Sequence, residues 1–70
     1  MSTRAIVAAF LEGMYYAGKL PSRAEITAIA MRLQELQLTS EKRLTVENII
    51  SQEMDDLHRR VHPAMPEKGE

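Results

Sequence analysis

Hydrophobic residues recur along this chain at spacings of three and four in three separate stretches, and nowhere alternate with polar ones over a strand's length. The spacing predicts three helices and no sheet. The first covers about residues 3–17. Ile6, Phe10 and Met14 form one row four apart, and Val7, Leu11 and Tyr15 form the next. Ala5, Ala9, Gly13 and Ala17 make a third row of small residues only. Arg4 and Glu12 are the only charges in this stretch, so nearly the whole circumference is apolar. Such a helix is expected to be buried on several sides. Gly18 suits the left-handed position just past its end, with Pro21 soon after.

The second helix is predicted over residues 22–37. Ser22 followed by Glu25 is a capping-box pattern, in which each side chain satisfies the other residue's free backbone N–H. Ile26, Ile29, Leu33 and Leu36 follow as an a/d seam widened by Ala30, with Arg32, Gln34, Glu35 and Gln37 toward solvent. The seam spans under two heptads, too short for a coiled coil and right for a packed helix. The polar run from Leu38 to Thr45 reads as a loop, with Thr39 as a candidate cap for an early start of the next helix. The third helix is predicted over 45–62, with Thr45 as N-cap and Glu47 in the first turn, where the helix dipole favours an anion. Its stripe is Val46, Ile49, Ile50, Met54, Leu57 and Val61. His58, Arg59, Arg60 and His62 fill the last turn, where cations are favoured, and Pro63 stops it. Residues 63–70 have no periodicity and are expected to be a disordered tail, leaving 1–62 as one helical domain.

Length changes this picture. A chain of 70 residues buries only about 60 % of the surface its unfolded form exposes. Domains of this size usually gain stability from disulfides, a metal or oligomerisation. Cysteine is absent, which removes disulfides and thiolate metal sites and fits a reducing compartment. With 44 % hydrophobic residues to place, association is the route left. Gly13 inside a helix costs about 1 kcal/mol relative to Ala, and close approach of another backbone along the small row would offset that cost. The expected architecture is therefore an all-α, three-helix domain that dimerises through its first helix. Its interface residues would be Ala5, Ala9, Phe10, Gly13, Met14, Tyr15, Tyr16 and Ala17.

The first helix also bears on targeting. One positive charge precedes the seven-residue apolar run Ala5 to Leu11, an outline shared with signal peptides, but Glu12 interrupts it. The run is far short of the roughly 20 residues that a membrane span needs. A helix lying on a membrane surface carries a face rich in Lys and Arg, which this one lacks. A cytoplasmic protein without a membrane partner is the expectation.

Candidate chemistry concentrates in the stretch DDLHRRVH, residues 55–62. His58 and His62 lie four apart, the spacing that lets two imidazoles share a metal on one helix face. The Glu that follows the first His in the zinc-protease motif is replaced by Arg59, and Arg59 and Arg60 would repel a cation. Ion pairs at i, i+4, Asp55 with Arg59 and Asp56 with Arg60, account for the charges more simply. No metal, cofactor or catalytic residue is assigned: there is no phosphate loop and no nucleophile elbow, and a chain this short has little room for a concave pocket.

The segment KLPSRAEI, residues 19–26, resembles the opening of helix-turn-helix regulators of the GntR type, where a Leu-Pro-Ser run precedes the first helix of the motif. The resemblance implies DNA binding, with LTVENIIS as the recognition helix, Asn48 at a base edge, and Lys42, Arg43, Arg59 and Arg60 on phosphates. Two features depart from that pattern. About twenty residues separate the helix starts, Ala24 and Arg43, where a tight motif has a three- or four-residue turn. Glu47, Glu53, Asp55 and Asp56 would also repel phosphates, and the net charge is −1. The primary expectation is a non-enzymatic module that binds another protein and regulates or bridges it, with nucleic-acid binding as the alternative.

Overall fold

The stripe of the third helix organises the fold. A computed structural model describes residues 2–61, so His62 and the segment 63–70 lie outside the described residues. It contains α1 (Thr3–Tyr16), a single 3-10 turn (Arg23–Glu25), α2 (Ile26–Glu35) and α3 (Arg43–Val61), with no strand among the described residues. Val46, Ile50, Met54 and Leu57 of α3 are buried at spacings of four, four and three. Val7 and Leu11 of α1 pack on them from one side, and Ile26, Ala30 and Leu33 of α2 from the other. No polar or charged side chain among the described residues is buried. The core is a single apolar cluster with α3 at its centre.

Side-chain pairs give the helix directions. Arg4 donates to Glu53 at 2.7 Å and to Gln52 at 2.8 Å, and Arg60 donates to Glu12 at 3.2 Å. Ascending positions on α1 thus match ascending positions on α3, and the two run parallel. Arg23, just before α2, meets Asp55 in the second half of α3 at 2.8 Å, which sets α2 antiparallel to α3. α1 and α2 are therefore antiparallel neighbours, and both pack on α3 while their backbones meet each other little if at all.

The helix ends follow from local chemistry. The Ser2 hydroxyl accepts from the Ala5 N–H at 3.1 Å and caps α1. Past its other end, Lys19 N–H donates to Met14 at 2.8 Å and Gly18 N–H to Tyr15 at 3.0 Å, with Gly18 at φ +73°. This is a Schellman motif closed by the expected glycine. The capping box also forms: the Glu25 carboxylate accepts from the Ser22 N–H at 2.8 Å and its hydroxyl at 3.3 Å. The turn that it closes is 3-10, so the α-helical part of the predicted 22–37 helix starts only at Ile26.

Three further expectations are corrected. α2 ends at Glu35 and not at 37, because Gln37 takes the left-handed conformation at φ +57°. Its N–H reaches Gln34, and the Leu38 N–H reaches Leu33, both at 3.0 Å, forming a second Schellman motif without glycine. Leu36 is consequently outside the seam and 49 % exposed. α3 starts at Arg43, two residues before Thr45, with the Lys42 carbonyl accepting the Val46 N–H at 3.0 Å. Thr45 is an exposed residue inside the helix, and the Thr39 hydroxyl serves the loop instead. It accepts from Glu41 N–H at 3.0 Å and bonds the Thr3 hydroxyl at 2.7 Å. Finally, α1 is not covered on several sides. It packs on α3 alone to any extent, because the flanking position of α2 takes it away from the outer face of α1.

Two substitutions test this account. Gln37→Gly removes a Cβ from a left-handed residue, a conformation that costs L-residues about 1–2 kcal/mol. After the added unfolded-state freedom of glycine is subtracted, a gain of about 1 kcal/mol is expected, read as a rise of about 4–8 °C in Tm. Ala30→Leu inserts bulk where α2 crosses α3 with no exposed surface. It is expected to cost about 1–3 kcal/mol in urea unfolding; an unchanged midpoint would mean the α2–α3 contact is looser than described.

Candidate functional site

α1 carries two apolar faces, and the core uses one. Val7 and Leu11 point into the cluster, and Tyr15 is half-buried and packs against it. On the other side Ala5, Ala9, Gly13, Tyr16, Ala17 and Phe10 are all exposed. At 3.6 residues per turn these six span an arc of about 140°, wider than the roughly 100° stripe by which a surface helix usually meets its core. Tyr16 is 83 % exposed and Phe10 40 %. A Cβ added at Gly13 would meet nothing within 4 Å, so this position of the small row faces open space among the described residues.

This strip also lacks charge, for a structural reason. The only charged residues of α1, Arg4 and Glu12, lie toward α3 and pair with Glu53 and Arg60. Exposed pairs of this kind contribute little stability. Their consequence here is placement, since they draw both charges of α1 to one flank. Tyr15 and Tyr16 stack edge to face with ring centroids 5.4 Å apart, linking the buried side of α1 to its exposed strip. Of the eight residues expected at an interface, six lie on the strip; Tyr15 turns toward the core and Met14 is half-buried at the strip's margin.

At that margin a groove of about 380 Å³ opens between α1 and α2. Phe10 and Met14 form one wall, Ala28 and Ile29 the other, and Pro21 lies at the end where the helices connect. Lys19, Glu25 and Arg32 bring charge to it. Of the α2 wall, Ile29 belongs to the expected seam but is only half-buried, at the margin of the core, and the exposed Ala28 beside it is the residue that seam spacing passes over.

The residues proposed for nucleic acid do not assemble into one patch. Arg43 begins α3 and Arg59 and Arg60 lie near its end, about 25 Å apart at 1.5 Å per residue. Arg43 pairs with Glu47 at 3.6 Å, Arg60 with Glu12 at 3.2 Å and Arg59 with Asp56. The i, i+4 pairs expected at 55–60 are therefore replaced by Asp56–Arg59 at i, i+3 and by two contacts to other elements, Arg23–Asp55 and Arg60–Glu12. Lys42 and Asn48 are exposed. Leu36 to Lys42, seven residues, connect α2 to α3 where a tight helix-turn-helix has three or four. No group of three His, Cys, Asp or Glu among the described residues is arranged to hold a metal ion. His58 is exposed on α3, and its i, i+4 companion His62 lies outside the described residues. No helix among the described residues is long and apolar enough to cross a membrane. No family model matches this chain, no curated protein matches it in sequence, and no solved structure matches it in fold.

The open space at Gly13 makes a direct prediction. Gly13→Ala is expected to raise the stability of the isolated domain by about 1 kcal/mol, the helix-propensity difference undiluted by any clash. Thermal melts followed by circular dichroism at high dilution measure it, and a loss of stability would show that the glycine is needed within the monomer.

Proposed function

We propose that this protein is a small, non-enzymatic interaction module that dimerises through the outer face of α1 and regulates or bridges a partner protein in the cytoplasm. The observation that carries this reading is the uncharged apolar strip of α1, whose residues are exposed among the described residues and which offers open space at Gly13. A contiguous exposed apolar surface of this kind marks an interaction site more often than a solvated face. Aromatic residues such as Phe10 and Tyr16 are the side chains enriched in interface cores.

A second copy suits the strip by shape and by charge. Its N-terminal half is small, with Ala5 and Ala9, and Tyr16 stands near its C-terminal end. In a two-fold, antiparallel pairing the bulky end of one copy meets the small end of the other, as an isologous interface requires. The strip has no charge by which two copies could repel each other. The lack of cysteine suits a reducing compartment.

Light scattering over a dilution series is expected to give the mass of a dimer. Gly13→Leu should weaken the association by at least about tenfold, the effect of roughly 1.4 kcal/mol. Helicity should not fall, because Leu is the better helix former and a Cβ at position 13 meets nothing within 4 Å among the described residues. A monomer at every concentration, or a dimer indifferent to Gly13→Leu, would refute the α1 interface.

A further inference from the structure

We propose that α1 is an exchangeable arm: its seat on α3 can be filled by the α1 of a second copy, giving a domain-swapped dimer that opens at Ala17–Lys19. This goes beyond the pairing of outer faces and does not require it, since exchange leaves the strip of α1 exposed.

The attachments of α1 carry the inference. α1 lies at one end of the described residues, and among them it packs to any extent on α3 alone. Val7 and Leu11 enter the core there. Its ion pairs go to the same helix, Arg4 with Glu53 at 2.7 Å and Glu12 with Arg60 at 3.2 Å. Thr3 adds its hydroxyl contact to Thr39, in the loop before α3. α2, which follows α1 in sequence, meets its backbone little if at all. A seat of this kind recognises the helix and not the chain that the helix belongs to. The same side chains arrive on α3 whether α1 comes from its own chain or from another. Exchange therefore conserves these contacts, and only the linker changes its path.

The linker has a place to open. Ala17, Gly18 and Lys19 are exposed, whereas Leu20 is half-buried against the core and Pro21 is buried. Leu20 and Pro21 therefore stay with the α2–α3 half, and the change of path falls on the three residues before them. Gly18 holds the reversal of the chain through its left-handed φ of +73°, which an extended linker does not need. Pro21 disfavours helical backbone at Leu20, so the opened linker runs out extended and does not fuse α1 to α2. A short tether gives the chain's own α1 an effective concentration of about millimolar. The closed monomer thus prevails in dilute solution, and exchange gains wherever the reversal at Gly18 is made costly.

The first test uses the full-length protein carrying Gly13→Leu, which disables pairing of the outer faces. Gly18→Val then places a β-branched residue at the left-handed position, penalising the closed form and sparing the extended linker. Light scattering is expected to show self-association tightened at least about tenfold by Gly18→Val. A variant that only melts at lower temperature, with its association unchanged, overturns the proposal.

The second test reads the seat itself and keeps the Gly18 linker. Arg4→Glu with Glu12→Arg reverses the charges of α1, and Glu53→Arg with Arg60→Glu reverses those that face them on α3. Exposed pairs contribute little to stability, so each double variant still folds. Alone, each sets like charges together in its closed form and in its own swapped dimer. Refolded together at about millimolar concentration, the two restore opposite charges at both seats of a swapped heterodimer. Energy transfer between copies is expected to favour that heterodimer at least about tenfold over either homodimer. Pairing of the uncharged outer faces predicts no such preference, so the two surfaces are told apart. Copies that stay monomeric, or that mix without preference, overturn the exchange.

Discussion

Everything in this structure depends on the buried stripe of α3. Val46, Ile50, Met54 and Leu57 form the one surface on which both other helices pack. A chain this short supports one core, and a single helix at its centre offers α1 and α2 separate places on its circumference. Each flanking helix then buries only the face turned toward α3. For α2 that leaves a mixed outward side, with Arg32 and Glu35 beside the exposed Ala28 and Met31. For α1 it leaves an apolar one, because the sequence supplies apolar residues for more than one face. The exposed strip is thus a consequence of topology acting on composition, and the groove beside it results from the same arrangement.

The ion pairs make that arrangement directional. Arg4 bridges to Glu53 and Gln52, and Arg60 reaches Glu12, so the polar contacts between α1 and α3 lie on one flank. Arg23 and Asp55 do the same between α2 and α3. Such exposed pairs add little to stability. Burial of Val7 and Leu11 fixes how α1 is rotated on α3, the pairs accord with that orientation, and the rotation determines which residues face water. A different rotation would bury Gly13 and Ala9 and expose Val7 and Leu11, exchanging the two faces.

Much of the fold was legible in the sequence, for reasons specific to each element. The stripe of α3 was read residue by residue, because a period of 3.6 over nineteen helical residues leaves one solution. Gly18 and the Ser22–Glu25 box were read because their chemistry is local. The end of α2 was not, because Gln37 occupies a left-handed position that Gly or Asn usually announces. The start of α3 was misplaced because Thr45 has the chemistry of a cap, while the loop used Thr39 to bond Thr3, a residue 36 positions away. Sequence spacing cannot anticipate such a contact. The same limit explains the ion pairs: Asp55 and Arg60 had local partners at helical spacing, and tertiary packing brought Arg23 and Glu12 nearer.

The candidate site follows the same division. That α1 had an apolar excess was visible from its residues, and so was the small row. Which face remained open depended on rotation about α3, and the second wall of the groove depended on α2 lying antiparallel beside α1. The two surfaces meet at Phe10, exposed on the strip and lining the groove. Phe10 therefore belongs to both surfaces, one side of its ring on the strip and the other on the groove, with α3 as the fixed frame behind them.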